Sequence, residues 1–252
     1  MKKHIPNIIT LLNLTCGCCA VIMALWGLYL GSFLFIAAAV VFDFLDGFSA
    51  RLLKAYSDIG KELDSLADLI SFGLAPSLIL FNWYYNSGHQ YTFWAFIPLA
   101  ITAFSALRLA KFNLDTRQES DFIGLATPAN AMIIAPMVAY ADICRLHNMP
   151  SFVNVLLDSA WFIPTISIIL ALLLVSEIPM FSLKKKRVSF REAPLFSSFI
   201  IIAVIVLILG MLFIPHQNSI LETLPPVISA IFVLYTLINI FAQIFRIARK
   251  PS

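Results

Sequence analysis

Apolar residues run along this chain in long stretches separated by short polar clusters. Eight such runs recur, near residues 6–28, 32–52, 62–84, 91–109, 127–144, 159–181, 194–214 and 225–246. About 20 helical residues suffice to cross a hydrocarbon layer of about 30 Å, and each run is close to that length. Lipid offers no partner to backbone N–H and C=O groups, and the runs exceed the roughly 10-residue strands of a membrane barrel. The pattern therefore predicts an all-α bundle of about eight transmembrane helices, forming one integral membrane domain over residues 1–252.

Composition agrees. The chain is 60% hydrophobic and 12% charged, with a mean hydropathy of +0.90, against about 25% charged residues in soluble domains. The first run follows Met1, Lys2 and Lys3 but is too long for a signal-peptide core, so it reads as an uncleaved first helix. The four cysteines show no disulfide or zinc spacing: Cys16, Cys18 and Cys19 share the first run with Gly17, and Cys144 ends the fifth. Packing as small residues between helices is the expected role. The histidines His4, His89, His147 and His216 fall at span ends or in loops and suggest no chemistry.

Charge gives the eight runs a direction, because basic residues favour the cytoplasmic side. With the amino terminus inside, all but Arg145 of the 17 lysines and arginines fall in cytoplasmic segments. A missed or added helix would invert every later loop, so this distribution supports the span number as well. Both termini are expected in the cytoplasm. The same topology explains the basic stretch from Lys184 to Arg191, and no nucleic-acid partner is expected.

Six of the 14 acidic residues lie between positions 43 and 68. In VVFDFLDGFSARLL, Asp43 and Asp46 are three apart; in ELDSLADLISFG, Asp64 and Asp68 are four apart; each pair shares one helical face. Like charges at these spacings repel, and an aspartate inside a membrane helix costs about 2.5–3.5 kcal/mol on insertion scales. Pairing with Arg51, Lys54 or Lys61 would account for any one of them but not for the set. Four carboxylates at adjoining helix ends, without histidine or cysteine nearby, are hard oxygen ligands suited to magnesium or manganese. Gly47 lies on the Asp43 face where a ligand can approach the backbone, and Arg51 offers a fork for phosphate.

These residues spell D-x-x-D-G-x-x-A-R, eight residues, then G-x-x-x-D-x-x-x-D, at Asp43, Asp46, Gly47, Ala50, Arg51, Gly60, Asp64 and Asp68. The pattern resembles the signature of the CDP-alcohol phosphotransferase family. The resemblance implies a six-helix core with an extra C-terminal pair near residues 194–246, a homodimer, and transfer of a substituted phosphoryl group from a CDP-linked donor to an alcohol with release of CMP. It further implies two Mg2+ or Mn2+ ions held by Asp43, Asp46, Asp64 and Asp68, with Asp68 also the general base. Gly47, Ala50, Arg51 and Gly60, with Asn7 and Thr10 of P-N-x-x-T, would contact the donor.

The segments IPNIITLLNLTCG, ELDSLADLISFGLAPS, SALRLAKFN and FIGLATPANA, within residues 5–131, resemble the phosphatidylserine-forming branch of the family. That implies CDP-diacylglycerol as donor and L-serine as acceptor, in a prokaryotic cytoplasmic membrane with the site facing the cytoplasm. Arg108, Lys111, Asn113 and Thr127 would hold phosphate or the serine carboxylate. Two positions depart from the pattern: Lys111 stands where arginine is common, and Ala126 where proline is common. The alternatives are the same chemistry with glycerol phosphate or inositol phosphate as acceptor, and an ion-coupled transporter. A transporter would place charges at several depths, whereas the last three runs are nearly free of them.

Overall fold

The computed structural model describes residues 4–89, 92–114, 122–180, 194–213 and 220–248. Of the basic residues used to orient the chain, Lys2, Lys3, Arg117, those at 184–187, Arg191, Arg249 and Lys250 lie outside the described residues. The described chain is almost wholly helical: α1 (His4–Leu25), α2 (Tyr29–Leu53), α3 (Asp58–Asp68), α4 (Ala75–Tyr84), α5 (Leu99–Leu114), α6 (Thr127–Leu146), α7 (Phe152–Leu157), α8 (Phe162–Val175), α9 (Pro194–Phe213) and α10 (Ile220–Ala248). Among the described residues, six helical stretches are long and apolar enough to cross a membrane: His4–Leu25, Tyr29–Leu53, Asp58–His89, Phe93–Leu114, Thr127–Leu146 and Thr223–Ile244.

The sixth predicted run is shorter than expected. Helix α8 has 14 residues, or about 21 Å at 1.5 Å per residue. Beyond it the chain turns extended at Ser176. Pro179–Met180 (β2) then pairs antiparallel with Phe122–Ile123 (β1), Phe122 opposite Met180. Gly124 donates to Ile178 O and Leu125 to Leu173 O, each at 2.9 Å. Gly124 has a φ of +76°, and a Cβ there would come within 2.7 Å of Leu174 O, so only glycine fits this junction. The bridge ties the start of α6 to the end of α8.

Helix α6 is the axis of the bundle, most of its residues being buried, and it packs against α2, α4 and α10. Ser229 of α10 donates to Ile133 O of α6 at 2.9 Å. Helix α1 packs most extensively on α2 and also on α3 and α4. Its buried positions Pro6, Thr10, Asn13, Gly17, Ala20 and Ala24 form one narrow stripe at spacings of three and four.

The third span is not a regular helix. Between α3 and α4 lies a π-helical turn, Leu69–Leu74, the wider winding that often accompanies functional sites. Two close approaches hold it. A Cβ on Gly17 would lie 2.9 Å from the backbone N and Cα of Ser71, and one on Gly73 would lie 3.0 Å from Ser105 Cβ. Thr102 Oγ1 donates to Gly73 O at 3.3 Å and shares a 2.7 Å hydrogen bond with Ser77 Oγ.

Polar ties also close the other end of the bundle. Asp158 Oδ1 accepts from Trp83 Nε1 at 3.1 Å, Ser87 Oγ at 2.9 Å and Arg145 Nη2 at 2.7 Å. Arg145 lies 4.1 Å above the Trp83 ring.

Gly17→Val is expected to destabilise the protein by about 1–3 kcal/mol, because backbone rather than a flexible side chain blocks the added carbons. Thermal unfolding of the purified chain in detergent reads this as a lowered midpoint. Gly31→Ala, whose Cβ would meet the flexible Met23 side chain at 3.4 Å, should leave the midpoint unchanged.

Candidate metal centre between the second and third spans

Two local stop signals bring the acidic helices together. Helix α2 ends where Lys54 takes a left-handed conformation, φ 50° and ψ 42°, and Ala55 N–H bonds Ala50 O at 3.0 Å. Three residues after Lys54, Ser57 caps α3 by accepting Gly60 N–H at 3.0 Å. The chain thus reverses over residues 54–57, with Asp43 and Asp46 on the incoming helix and Asp64 and Asp68 on the outgoing one.

Asp43, Asp64 and Asp68 each present a carboxylate oxygen, and these oxygens lie within 4.8 Å of one another. Ligands at about 2.0–2.6 Å on opposite sides of a divalent ion lie about 4–5 Å apart, so this triad fits one coordination sphere. All three donors are hard oxygens, as magnesium or manganese prefers. Asp46 is buried but outside the three-oxygen group, although its charge acts on Asp68 together with those of Asp43 and Asp64. Of the four predicted carboxylates, Asp43, Asp64 and Asp68 thus form one close group, and Asp46 lies outside it.

The flanking residues differ in what they can offer. A Cβ on Gly47 would meet only Arg51 Nη1, at 3.5 Å, an ordinary contact, so packing does not require glycine there. Ala50 is half-buried and Arg51 exposed. A Cβ on Gly60 would approach Asn7 Oδ1 to 3.0 Å, which sets the Asn7 side chain against the start of α3. Thr10 donates to its own helix at Pro6 O, 3.0 Å away. Arg108 is buried, feels the charge of Asp68 and the Tyr235 hydroxyl, and its Nε has no hydrogen-bond partner. Lys111 is exposed. Asn113 braces α5 on α3, donating to Ser65 Oγ at 3.0 Å while its carbonyl accepts from Lys61 Nζ at 2.9 Å. Thr127, fully buried at the start of α6, has a hydroxyl without a partner.

The family model for CDP-alcohol phosphatidyltransferases matches residues 3–246. The chain belongs to the CDP-alcohol phosphatidyltransferase family. Among curated proteins it is 38% identical over 136 residues to the CDP-diacylglycerol-serine O-phosphatidyltransferase of Bacillus subtilis, covering 52% of this chain and 73% of that protein. It is 33% identical over 175 residues to the protein of the same name from Methanocaldococcus jannaschii, covering 69% and 72%. The likeness to the Mycobacterium tuberculosis H37Rv protein of that name is 32% over 183 residues, covering 70% and 60%.

In this CDP-alcohol phosphatidyltransferase, three further buried polar residues carry no role in the motif, and one of them touches an aspartate of the site. Asn13 of α1, wholly buried, donates through Nδ2 to Asp68 Oδ1 at 3.2 Å. Its signal was legible as a polar residue in the small-residue stripe of α1. Asn130, also wholly buried, has neither amide atom hydrogen-bonded, and it lies one turn beyond Thr127 on the same face of α6. Tyr235 of α10 is buried and near enough to Arg108 to interact electrostatically. Nothing in the apolar C-terminal run marked it.

Removing one converging carboxylate, by Asp43→Asn or Asp64→Asn, is expected to weaken Mn2+ binding by roughly tenfold or more. Electron paramagnetic resonance titration of the purified full chain measures this; unchanged affinity in both variants would rule the triad out as a metal site.

Proposed function

We propose that this family member transfers the phosphatidyl group of CDP-diacylglycerol to the hydroxyl of L-serine, giving phosphatidylserine and CMP. The observation that carries the reading is the carboxylate triad between the second and third spans, in a chain whose relatives bear that activity's name. Two Mg2+ or Mn2+ ions, held by Asp43, Asp46, Asp64 and Asp68, would supply charge neutralisation to the donor pyrophosphate and to the departing CMP oxygen.

The remaining work falls to the protein's own side chains. Asp68 takes the serine hydroxyl proton as that oxygen bonds the phosphatidyl phosphorus and the phosphorus–oxygen bond to CMP breaks. A carboxylate is a weak base towards an alcohol, so the proton leaves only as the oxygen commits to phosphorus. Gly47 leaves room for the nucleotide to approach α2. Ala50, Arg51, Gly60 and Asn7 form the donor side, with Thr10 behind them stiffening α1. Arg108 offers a buried guanidinium to the serine carboxylate or a phosphate, and Thr127 and Asn130 add uncommitted hydrogen-bonding groups. Lys111 and Asn113 stand at the rim.

The proposed topology has eight spans, α8 and α9 joining the six long helices, with both termini and the site on the cytoplasmic side of a prokaryotic inner membrane. The acyl chains of the donor remain in lipid between helices, and the working unit is a homodimer.

Purified protein in vesicles containing CDP-diacylglycerol and Mg2+ or Mn2+, given serine, glycerol 3-phosphate or inositol phosphate in turn, is expected to release CMP with serine. Release without serine, or a preference for another acceptor, would refute the choice of alcohol. Asp68→Asn is expected to lower turnover by roughly a hundredfold to ten-thousandfold while CDP-diacylglycerol still binds; near-normal turnover would remove Asp68 as the base.

A further inference from the structure

The stripe of small residues on α1 carries one side chain whose hydrogen-bonding capacity exceeds what helix packing needs. Asn13 is 0% exposed, which is costly for an amide unless its groups are used. One group is used: Nδ2 donates to Asp68 Oδ1 at 3.2 Å. The backbone around it is immobilised as well. Ser71 Oγ of the π-helical turn donates to Asn13 O at 3.1 Å, and four residues on, Gly17 meets the Ser71 backbone so closely that no side chain fits between. Asn13 is thus anchored on one side to the turn that follows Asp68 and on the other to the Asp68 carboxylate itself.

Asp68 needs such an anchor. Asp43, Asp64 and Asp46 all repel its charge, and a carboxylate at the end of a side chain with two free torsions would swing away from them. A lysine or arginine donor would hold it but would also cancel the charge the site exists to concentrate. An amide holds the carboxylate by hydrogen bonding while adding no charge, and its Oδ1, which has no partner, leaves one further acceptor beside the site. Resting on the reading of the aspartates as a metal centre, we infer that Asn13 is a positioning residue that fixes the orientation of Asp68 towards the cation and the acceptor hydroxyl.

Asn13→Leu removes the donor at similar volume, Asn13→Ala removes it without adding bulk, and Asn13→Gln keeps it one methylene away. On the purified full chain, Mn2+ affinity is read by electron paramagnetic resonance without substrate, and kcat and KM for CDP-diacylglycerol are read from CMP release. Asn13→Leu and Asn13→Ala are expected to weaken Mn2+ binding and lower kcat, each by roughly tenfold or more, while KM changes little; Asn13→Gln should recover part of both. Where Asn13→Leu does not fold, Asn13→Ala decides. Mn2+ affinity and kcat within about twofold of the unsubstituted protein in the folded variants would overturn the inference, the criterion lying well below the usual effect of orienting residues. Asp43→Asn separates the two levels. If it loses Mn2+ while the Asn13 variants do not, the inference alone fails; if the unsubstituted protein binds no Mn2+, the metal reading fails beneath it.

Discussion

Carboxylates repel, and this bundle is built to hold three of them together at a helix end that lipid would otherwise empty of charge. At the 4.8 Å limit of their separation, each pair repels by a few kcal/mol at the effective dielectric of a partly wet site. No local propensity would place them so. They stay because α1 packs against both α2 and α3, and because the reversal at residues 54–57 allows those helices no slack. The apolar packing of the spans is therefore the force that keeps the acidic site assembled.

The π-helical turn after Asp68 shows how closely that packing is adjusted. Its wider winding is met on one side by Gly17 and on the other by Ser105 and Thr102, so glycines and hydroxyl-bearing residues replace the larger side chains usual between helices. Small residues and hydroxyl groups give helices in lipid the close approach and hydrogen bonding that hydrophobic burial cannot supply there. The same features fix the angle at which α3 leaves the site and hence where Asp64 and Asp68 point relative to Asp43.

Much of this was legible in the sequence. Length and hydropathy gave the helical runs, and the spacing of Asp43, Asp46, Asp64 and Asp68 gave the acidic faces, because both depend on local periodicity. Other features depend on contacts between distant segments. The shortening of α8 follows from the bridge to Phe122 and Ile123, which no periodicity announces. That Asp46 stands beside the triad is a matter of helix rotation, finer than spacing resolves. Asn113, expected near the acceptor, also braces α5 on α3, and Asn13, to which the motif gave no role, touches Asp68. Both differences arise from side-chain partners 48 and 55 residues away. Tyr235 lies in an apolar run and acquires meaning only when α10 folds back onto α6.

Arg145 was the single basic residue that the charge distribution could not place inside, and the far end of the bundle accounts for it. Its guanidinium lies against the Asp158 carboxylate and the Trp83 ring. In the proposed orientation, a lone arginine carried outward across a negative-inside membrane would work against the potential, by about 2.3 kcal/mol for each 100 mV. Asp158, 13 residues along the chain, makes the same passage with the opposite sign, so the pair moves no net charge through the field. The apparent exception to the orientation is electrically silent, and the energetics of insertion remain governed by the cations that stay behind.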